Sequence, residues 1–421
     1  VIEQTQKLIF KRKPLFEAAF LYKSAYARVD ILNPVEEDSW DIIEVKSSTE
    51  VKDINLRDLS LQWYTYQGAG LSIRKSYVMH INNKYVRKGE IDTEKLFTLT
   101  DVTEEVKDLL SSVERQLADM TETIAAKTCP EVAVGAHCHN PYECPLQQKC
   151  FAFLPEHNLL TLYYINKEKA YTLIHQGVTD ILDLNDRVEL SDKQKIQVES
   201  LRSKKPYLNK SGIRVFLATL EYPLYFLDFE TIGHAIPLFD NTSPHQQIPF
   251  QFSLHIQRSA GGDTEHYNYL ADGKCDPRPE LLKLLKKHLG DHGSIITYNA
   301  TFEKDKLHRA CEVYPEYAQW NEAIQNRIVD LLDPFKAFHF YHYDQKGSAS
   351  IKSVLPVLTG TGYEGMAIAA GGMASREFLR VTFGENITEG ERKAVRKNLE
   401  DYCSLDTMAM VEIVEKLREM V

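Results

Sequence analysis

The segment Tyr225-Phe226-Leu227-Asp228-Phe229-Glu230-Thr231 constrains the fold more than any other stretch of the chain. Pro223 interrupts whatever structure precedes it, and the apolar and aromatic residues that follow read as a buried β-strand. Asp228 and Glu230 stand two apart in that strand, so both carboxylates leave one face while Phe229 packs on the other. Two acids that close repel each other, and without a cation one of them must take up a proton. A divalent metal removes the conflict; a solvated strand end is the alternative.

Two later segments supply partners. Gly293 to Tyr298 reads as a buried strand, and Asn299-Ala300-Thr301-Phe302-Glu303 then opens an amphipathic helix through His308 to Cys311. An acid in the first turn of a helix lies at its positive end, beside the strand C-termini where open α/β sheets build their sites. Asn398 to Leu417 has helical periodicity and holds Tyr402 and Asp406 four residues apart, on one helix face. The order Asp-x-Glu, Asn-x-x-Phe-acid, Tyr-x-x-x-Asp resembles the three motifs of DEDD-type 3′-to-5′ exonucleases, in the subclass that uses tyrosine. That resemblance implies an RNase H-like mixed-sheet domain and two divalent ions, Mg²⁺ or Mn²⁺. Asp228, Glu230, Glu303 and Asp406 would hold them and Tyr402 would orient the attacking water. The family normally has Asp where Glu303 stands, and a displacement of about 1 Å can cost roughly a hundredfold in rate. Asp305 faces elsewhere on the helix. Asp330 also resembles an acid of related exonucleases, and reads equally well as a cap at a strand end.

A second pattern lies upstream. Ala27 to Leu32 reads as a strand carrying Asp30, a turn around Asn33-Pro34 to Asp38 follows, and Trp40 to Ser48 reads as a strand with Glu44 and Lys46 on one face. Asp followed by Glu-x-Lys after a hairpin resembles the PD-(D/E)xK nucleases. By that resemblance Asp30, Glu44 and the Val45 carbonyl bind metal and Lys46 positions or deprotonates water. Gln62 and Tyr66, four apart in a helical stretch from Leu59 to Gly68, resemble the Gln-x-x-x-Tyr motif of the RecB-like branch. Glu17, on a strand from Leu15 to Phe20, is a candidate accessory acid.

Cys129, Cys138, Cys144 and Cys150 follow, separated by eight, five and five residues. No Cys-x-x-Cys knuckle occurs, so a zinc ribbon fits poorly. Several RecB-like nucleases close their domain with a [4Fe-4S] cluster, and Cys138, Cys144 and Cys150 match their trio. The resemblance puts a further ligand upstream of Asp30, where there is no cysteine; Cys129, or a cysteine ahead of Val1, is the expected substitute.

At 421 residues the chain has room for several domains, and its net charge of −10 is unusual for a passive nucleic-acid binder. Local basic stretches then matter more than the total, as in Lys193, Lys195, Arg202, Lys204, Lys205 and Lys210. No apolar run approaches 18 residues and no signal peptide is recognised, so no membrane partner is expected. Seven cysteines, an odd number, favour a reducing cytoplasm. Residues 170–184 suggest two helices around Gly177-Val178, either a helix-hairpin-helix-like element or a spacer.

Nearly the whole chain resembles a bacterial family of unknown function in which a RecB-like nuclease module with a cysteine cluster precedes a DEDD exonuclease-like module. Further resemblance lies in Phe16-Glu17-Ala18-Ala19-Phe20 and in Ser350 to Pro356, where Lys352 is a candidate phosphate contact. The expected architecture is α/β: a PD-(D/E)xK restriction-endonuclease-like domain over 1–155, a helical connector over 156–218, and an RNase H-like domain over 219–421. The expected activity is metal-dependent hydrolysis of DNA phosphodiesters in repair or defence. RNA or short oligonucleotides as substrate, and a nucleic-acid-binding scaffold with inactive sites, remain open.

Overall fold

A computed structural model describes residues 1–184 and 188–421. Its contacts divide the mixed α/β chain into two compact units, Val1–Ala133 with His234–Gln246 and Val134–Gly233 with Gln247–Val421. The three sequence segments, divided after residues 155 and 218, are therefore grouped differently. The cysteine loop from residue 134 and the connector fall in the second unit.

The first unit is built on strands β1 (Leu15–Tyr22), β2 (Ala25–Val35), β3 (Ser39–Lys46), β4 (Ser72–Ile81) and β5 (Phe97–Asp101), in that spatial order. Neighbours are antiparallel except β3 and β4, which are parallel. A parallel pair needs a crossover, and the helix Asp53–Gly68 supplies it. That helix packs Leu59, Trp63 and Tyr66 into a core with Val29, Leu32, Ile42 and Val78. The β2–β3 turn is shorter than the sequence suggested, because Asn33, Pro34 and Val35 pair with Asp41, Trp40 and Ser39. β1 has stopped pairing beyond Leu32, so Pro34 sits in an edge stretch where a residue without an N–H is tolerated.

The second unit holds a short ladder of β6 (Tyr207–Leu208) and β12 (Phe340–Tyr341) and a five-stranded sheet. The sheet comprises β7 (Leu224–Ile232), β8 (Ile248–Gln257), β9 (Thr264–Leu270), β10 (Ile295–Thr297) and β11 (Ile328–Asp330), in the order β11-β10-β7-β8-β9. β7, β8 and β9 form an antiparallel meander, while β10 and β11 run parallel to β7. Strand alternation sorts β7 between two cores: Tyr225, Leu227 and Phe229 join the helices Arg278–His288 and Ala300–Val313, whereas Leu224 and Phe226 join the last helix, Glu389–Glu419. Asp228 and Glu230 share the parity of Phe226, so they face the last helix.

Alternation on β8 has a second effect. Phe252, Leu254 and Ile256 fill the first core, which leaves Gln251, Ser253, His255 and Gln257 on the face toward the last helix, all of them buried. Each finds a partner there. Gln251 donates to the Leu399 carbonyl at 2.9 Å, Ser253 and His255 meet the Thr407 hydroxyl at 2.7 and 2.8 Å, and Gln257 donates to Glu415 at 2.9 Å.

The connector departs from the two-helix expectation. The helix Lys167–His175 ends at a turn in which Gly177 takes a φ of 86°, but only a single 3₁₀ turn, Ile181–Asp183, follows. Leu159 N–H bonds the Thr179 carbonyl and Ile181 N–H bonds the His157 carbonyl, both at 3.0 Å, so residues 179–181 are drawn into extended pairing rather than into a helix. The next helix begins at Asp192 and ends at Ser203.

Thr407→Val should leave His255 Nδ1 buried without its hydroxyl partner, at a cost of about 1–3 kcal/mol. Thermal unfolding checks this: the midpoint should fall for Thr407→Val and recover in Thr407→Ser.

Candidate functional site

Asp228 and Glu230 from β7 and Asp406 from the last helix present carboxylate oxygens within 4.8 Å of one another. No other group of three or more such donors gathers that closely among the described residues. Glu230 is buried and Asp228 half-buried, at the point where the site reaches the surface. Tyr402 lies one turn before Asp406, as the four-residue spacing required. Carboxylates are hard oxygen donors, and such a set fits a divalent cation of the Mg²⁺ or Mn²⁺ kind.

Glu303 enters from the first turn of the helix Ala300–Val313, only 2% exposed. One of its oxygens, Oε2, is buried without a hydrogen-bond partner. Its charge reaches Asp228, although it lies outside the tight trio. Asp305 turns outward into ion pairs with Lys306 at 2.7 Å and Arg309 at 2.8 Å. Asp330 serves as a local cap: its Oδ1 accepts from Asn299 N–H at 2.9 Å and from Leu332 N–H at 3.0 Å.

Burial raises all four acids, and repulsion from the others in the set adds to it for Asp228 and Glu230. Glu230 is pushed up to about 8 by burial first and Asp406 second, with Lys352 opposing. Glu303 also reaches about 8, from burial and then Asp330. Burial lifts Asp406 to about 6, and Asp228 rises well above the carboxylate range through burial and then Asp406. Burial, then Asp406, Glu230 and Asp228, also raises Tyr402, so its phenol stays protonated.

Three residues at this site escaped the sequence reading. Tyr363 donates its hydroxyl to Asp406, and Cys403 Sγ lies 3.7 Å from Asp228 Oδ2. Gly371 approaches so closely that a Cβ there would sit 3.4 Å from Glu230 Oε2. A tyrosine in a loop, a cysteine in a helix and a Gly-Gly pair carry no spacing signal. Lys352, which the sequence did single out, holds its ammonium 5.3 Å above the Tyr402 ring and 5.2 Å above Tyr363.

In the first unit, Glu44 is buried, with Lys46 at 2.6 Å on one oxygen and Gln62 at 2.8 Å on the other. Lys46 also reaches Asp58 at 3.1 Å, a partner the sequence reading missed although it sits one helical turn before Gln62. Asp30 accepts from the Val45 N–H at 2.6 Å. Burial raises Glu44 against the pull of Lys46 and Gln62. For Lys46, burial alone would lower the ammonium, but Glu44 and Asp58 outweigh it and hold it above its ordinary value. Tyr66 does not join this group: its hydroxyl accepts from Val29 N–H at 2.7 Å and donates to the Ala18 carbonyl at 2.8 Å, tying the helix to β1 and β2. Glu17 makes an exposed ion pair with Arg28 at 2.7 Å.

Of the cysteines, Cys138 is buried, Cys144 half-buried, and Cys129 and Cys150 exposed. The loop folds on itself through a Cys144 N–H to Cys138 carbonyl bond of 2.9 Å. Cys138 packs with Leu159, Tyr171 and Val198 of the connector, while Cys129 belongs to the first unit.

Residues 225–350 match the model of a family described as a domain of unknown function, DUF2779. The match covers Asp228, Glu230, Glu303 and Asp330 and stops short of Tyr402 and Asp406. An uncharacterized protein of Mycoplasma genitalium is 24% identical over 63% of this chain and 43% of its own length. A homolog of it in Mycoplasma pneumoniae is 28% identical over 46% of this chain and 32% of its own. An uncharacterized protein of Ureaplasma parvum is 26% identical over 50% of this chain and 33% of its own. The chain thus spans less than half the length of these relatives. No solved structure matches it. No helix among the described residues is long and apolar enough to cross a membrane.

A carboxyl group held near 8 in the folded state against an ordinary 4.5 favours folding fully below pH 4.5 and loses that contribution as pH rises through about 8. In EDTA the unfolding midpoint should therefore fall over this window. Glu230→Gln should flatten the fall, and Mn²⁺ should raise the midpoint more at pH 8 than at pH 5.

Proposed function

We propose that the protein is a metal-dependent nuclease, hydrolysing phosphodiester bonds from 3′ ends at the second unit's site. The observation that carries this reading is the convergence of Asp228, Glu230 and Asp406 within 4.8 Å. The meander of β7 to β9 followed by two strands parallel to β7 supports an RNase H-like assignment. So does a helix bringing Tyr402 and Asp406 to the face of Asp228 and Glu230. The match to DUF2779 fits the resemblance in the sequence to a bacterial family of unknown function.

The three carboxylates would hold the cations, with Glu303 offering a further oxygen. When bound, Mg²⁺ or Mn²⁺ activates water and stabilises the charge on the leaving oxygen. The protonated Tyr402 phenol is suited to orient that water or a phosphate oxygen, and Lys352 sets a positive charge beside it. In the first unit, Asp30, Glu44, Lys46 and Gln62, joined by Asp58, form a PD-(D/E)xK-like second nuclease site. Asp30 and Glu44 would hold a cation there, and Lys46, which donates to Glu44 and Asp58, is the ammonium placed to position water. DNA is the proposed substrate, in repair or defence; RNA is an arm of the test.

End-labelled single- and double-stranded DNA and RNA, incubated with Mg²⁺ or Mn²⁺, check this assignment. Asp228→Asn should reduce stepwise 3′ digestion at least a hundredfold, on the order of a lost metal ligand. Lys46→Ala should spare that ladder while removing internal or 5′ cleavage. A ladder persisting in Asp228→Asn, or no hydrolysis of any substrate by the parent protein, would sink the proposal.

The loop of Cys138, Cys144 and Cys150 is the proposed seat of a [4Fe-4S] cluster, supported by three thiols in one short self-bonded loop. Anaerobically purified protein should then be brown, with broad absorbance near about 400 nm. Cys144→Ser should bleach it. Colourless protein with stoichiometric zinc would refute the cluster.

A further inference from the structure

The basic stretch singled out in the sequence has no part in either proposed site, yet its side chains come together with aromatic rings. The helix Asp192–Ser203 carries Lys193 in its first turn and is followed by Lys204, in a left-handed conformation, and Lys205. Lys193 Nζ lies 5.4 Å over the Tyr163 ring and 5.8 Å over Phe338; Lys204 Nζ lies 4.9 Å over Tyr343, on which His342 stacks at 4.3 Å. Gln194 and Gln197 clamp the segment Thr161–Tyr163 against this helix through bonds of 2.8 to 2.9 Å. That clamp leaves Tyr164 packed edge-on against Tyr163 and 85% exposed. At the other end a groove of about 320 Å³ is lined by Lys195, Lys205, Ser203 and the exposed ring of Tyr207.

The charge is offset only in part, for Glu156 feels Lys204 without an ion pair between them. Asp192, Glu199 and Glu156 are engaged by Lys195, Arg202 and Lys346. Lys193, Lys204 and Lys205 make no ion pair among the described residues. The surface also leads toward the acid site. The turn Tyr343–Gln345 packs both on this helix and on the helix Ile351–Thr359, and the latter carries Lys352 to the rings of Tyr402 and Tyr363.

We propose that Lys193, Lys204 and Lys205, with Tyr164 and Tyr207, form a surface that holds single-stranded nucleic acid upstream of the end being cut. Ammonium groups meet backbone phosphates, and exposed rings offer stacking platforms that any base can use. Such contacts are sequence-independent, as an enzyme that trims ends requires. A duplex keeps its bases stacked internally and cannot use the rings. The inference takes its substrate from the nuclease reading, but binding in EDTA tests it without hydrolysis.

The experiment is fluorescence anisotropy of the full chain in EDTA, with labelled oligothymidylate and oligouridylate of about 20 nucleotides and a duplex of the same length. The parent should bind both single strands more tightly than the duplex, and log affinity should fall with log salt at a slope of about −2 for three phosphates. Lys193→Glu/Lys204→Glu/Lys205→Glu should weaken single-strand binding at least about tenfold. Tyr164→Ala should weaken it by a smaller factor that does not depend on salt. Lys283→Glu/Lys286→Glu/Lys287→Glu makes the same charge change on the helix Arg278–His288 and should leave affinity within about twofold. Circular dichroism confirms that each variant is folded. Parent-like affinity in the first triple variant, an equal loss in the control triple, or preference for the duplex overturns the proposal. Binding that behaves as described in a protein that hydrolyses nothing would leave this surface standing and remove the nuclease reading.

Discussion

The register of the helix Glu389–Glu419 against β8 is the constraint on which the acid site depends. Gln251, Ser253, His255 and Gln257 are buried polar groups on one strand face, and each bonds one position of that helix. Sliding the helix by a turn would break these bonds together and leave Gln251 and His255 without the partners they have on it, at about 1–3 kcal/mol each. An apolar interface would tolerate several registers; this one does not. Asp406 is the residue next to Thr407, so the ladder fixes its carboxylate opposite Asp228 and Glu230. His255 contributes as a neutral ring, since burial lowers it to about 4.

The acids themselves work against the fold. Glu230, Glu303, Asp228 and Asp406 are all raised by burial, and only Lys352 and Lys306 oppose the effect among the basic residues that reach them. Carboxylates kept together in such surroundings are more often functional than structural. Glu303 is one methylene longer than the aspartate at the matching position of the exonucleases the sequence resembles, and its Oε2 is buried without a partner while its charge reaches Asp228.

Gln62 and Tyr66 illustrate how one motif divides between fold and chemistry. They lie on one face of the helix Asp53–Gly68, yet Gln62 holds Glu44 while Tyr66 bridges backbone groups of β1 and β2. The phenol reaches past the carboxylates into the core. Tyr66 therefore anchors the helix whose next turn toward the N-terminus carries Gln62 and, one turn further, Asp58. In the connector, lysines read from the sequence as a basic stretch stand over aromatic rings the sequence reading did not single out, and Gln194 and Gln197 pin the loop that carries Tyr163 and Tyr164.

The sequence by itself determined which residues could meet. Strand parity put Asp228 and Glu230 on one face, helical spacing put Tyr402 and Asp406 on another, and a first-turn position aimed Glu303 inward, because all three follow from local backbone geometry. It also located the strands carrying Asp30 and Glu44. What it left undetermined was every relation set by distant segments. The docking ladder of β8, the arrival of Tyr363 and Gly371 at the acids, the joining of Asp58 to Lys46, and the diversion of residues 179–181 into extended pairing all depend on partners outside the local turn or strand, from 12 residues away for Lys46 and Asp58 to 158 for Gln257 and Glu415. Pairings of that kind leave no periodicity in the chain, and only tertiary packing decides them.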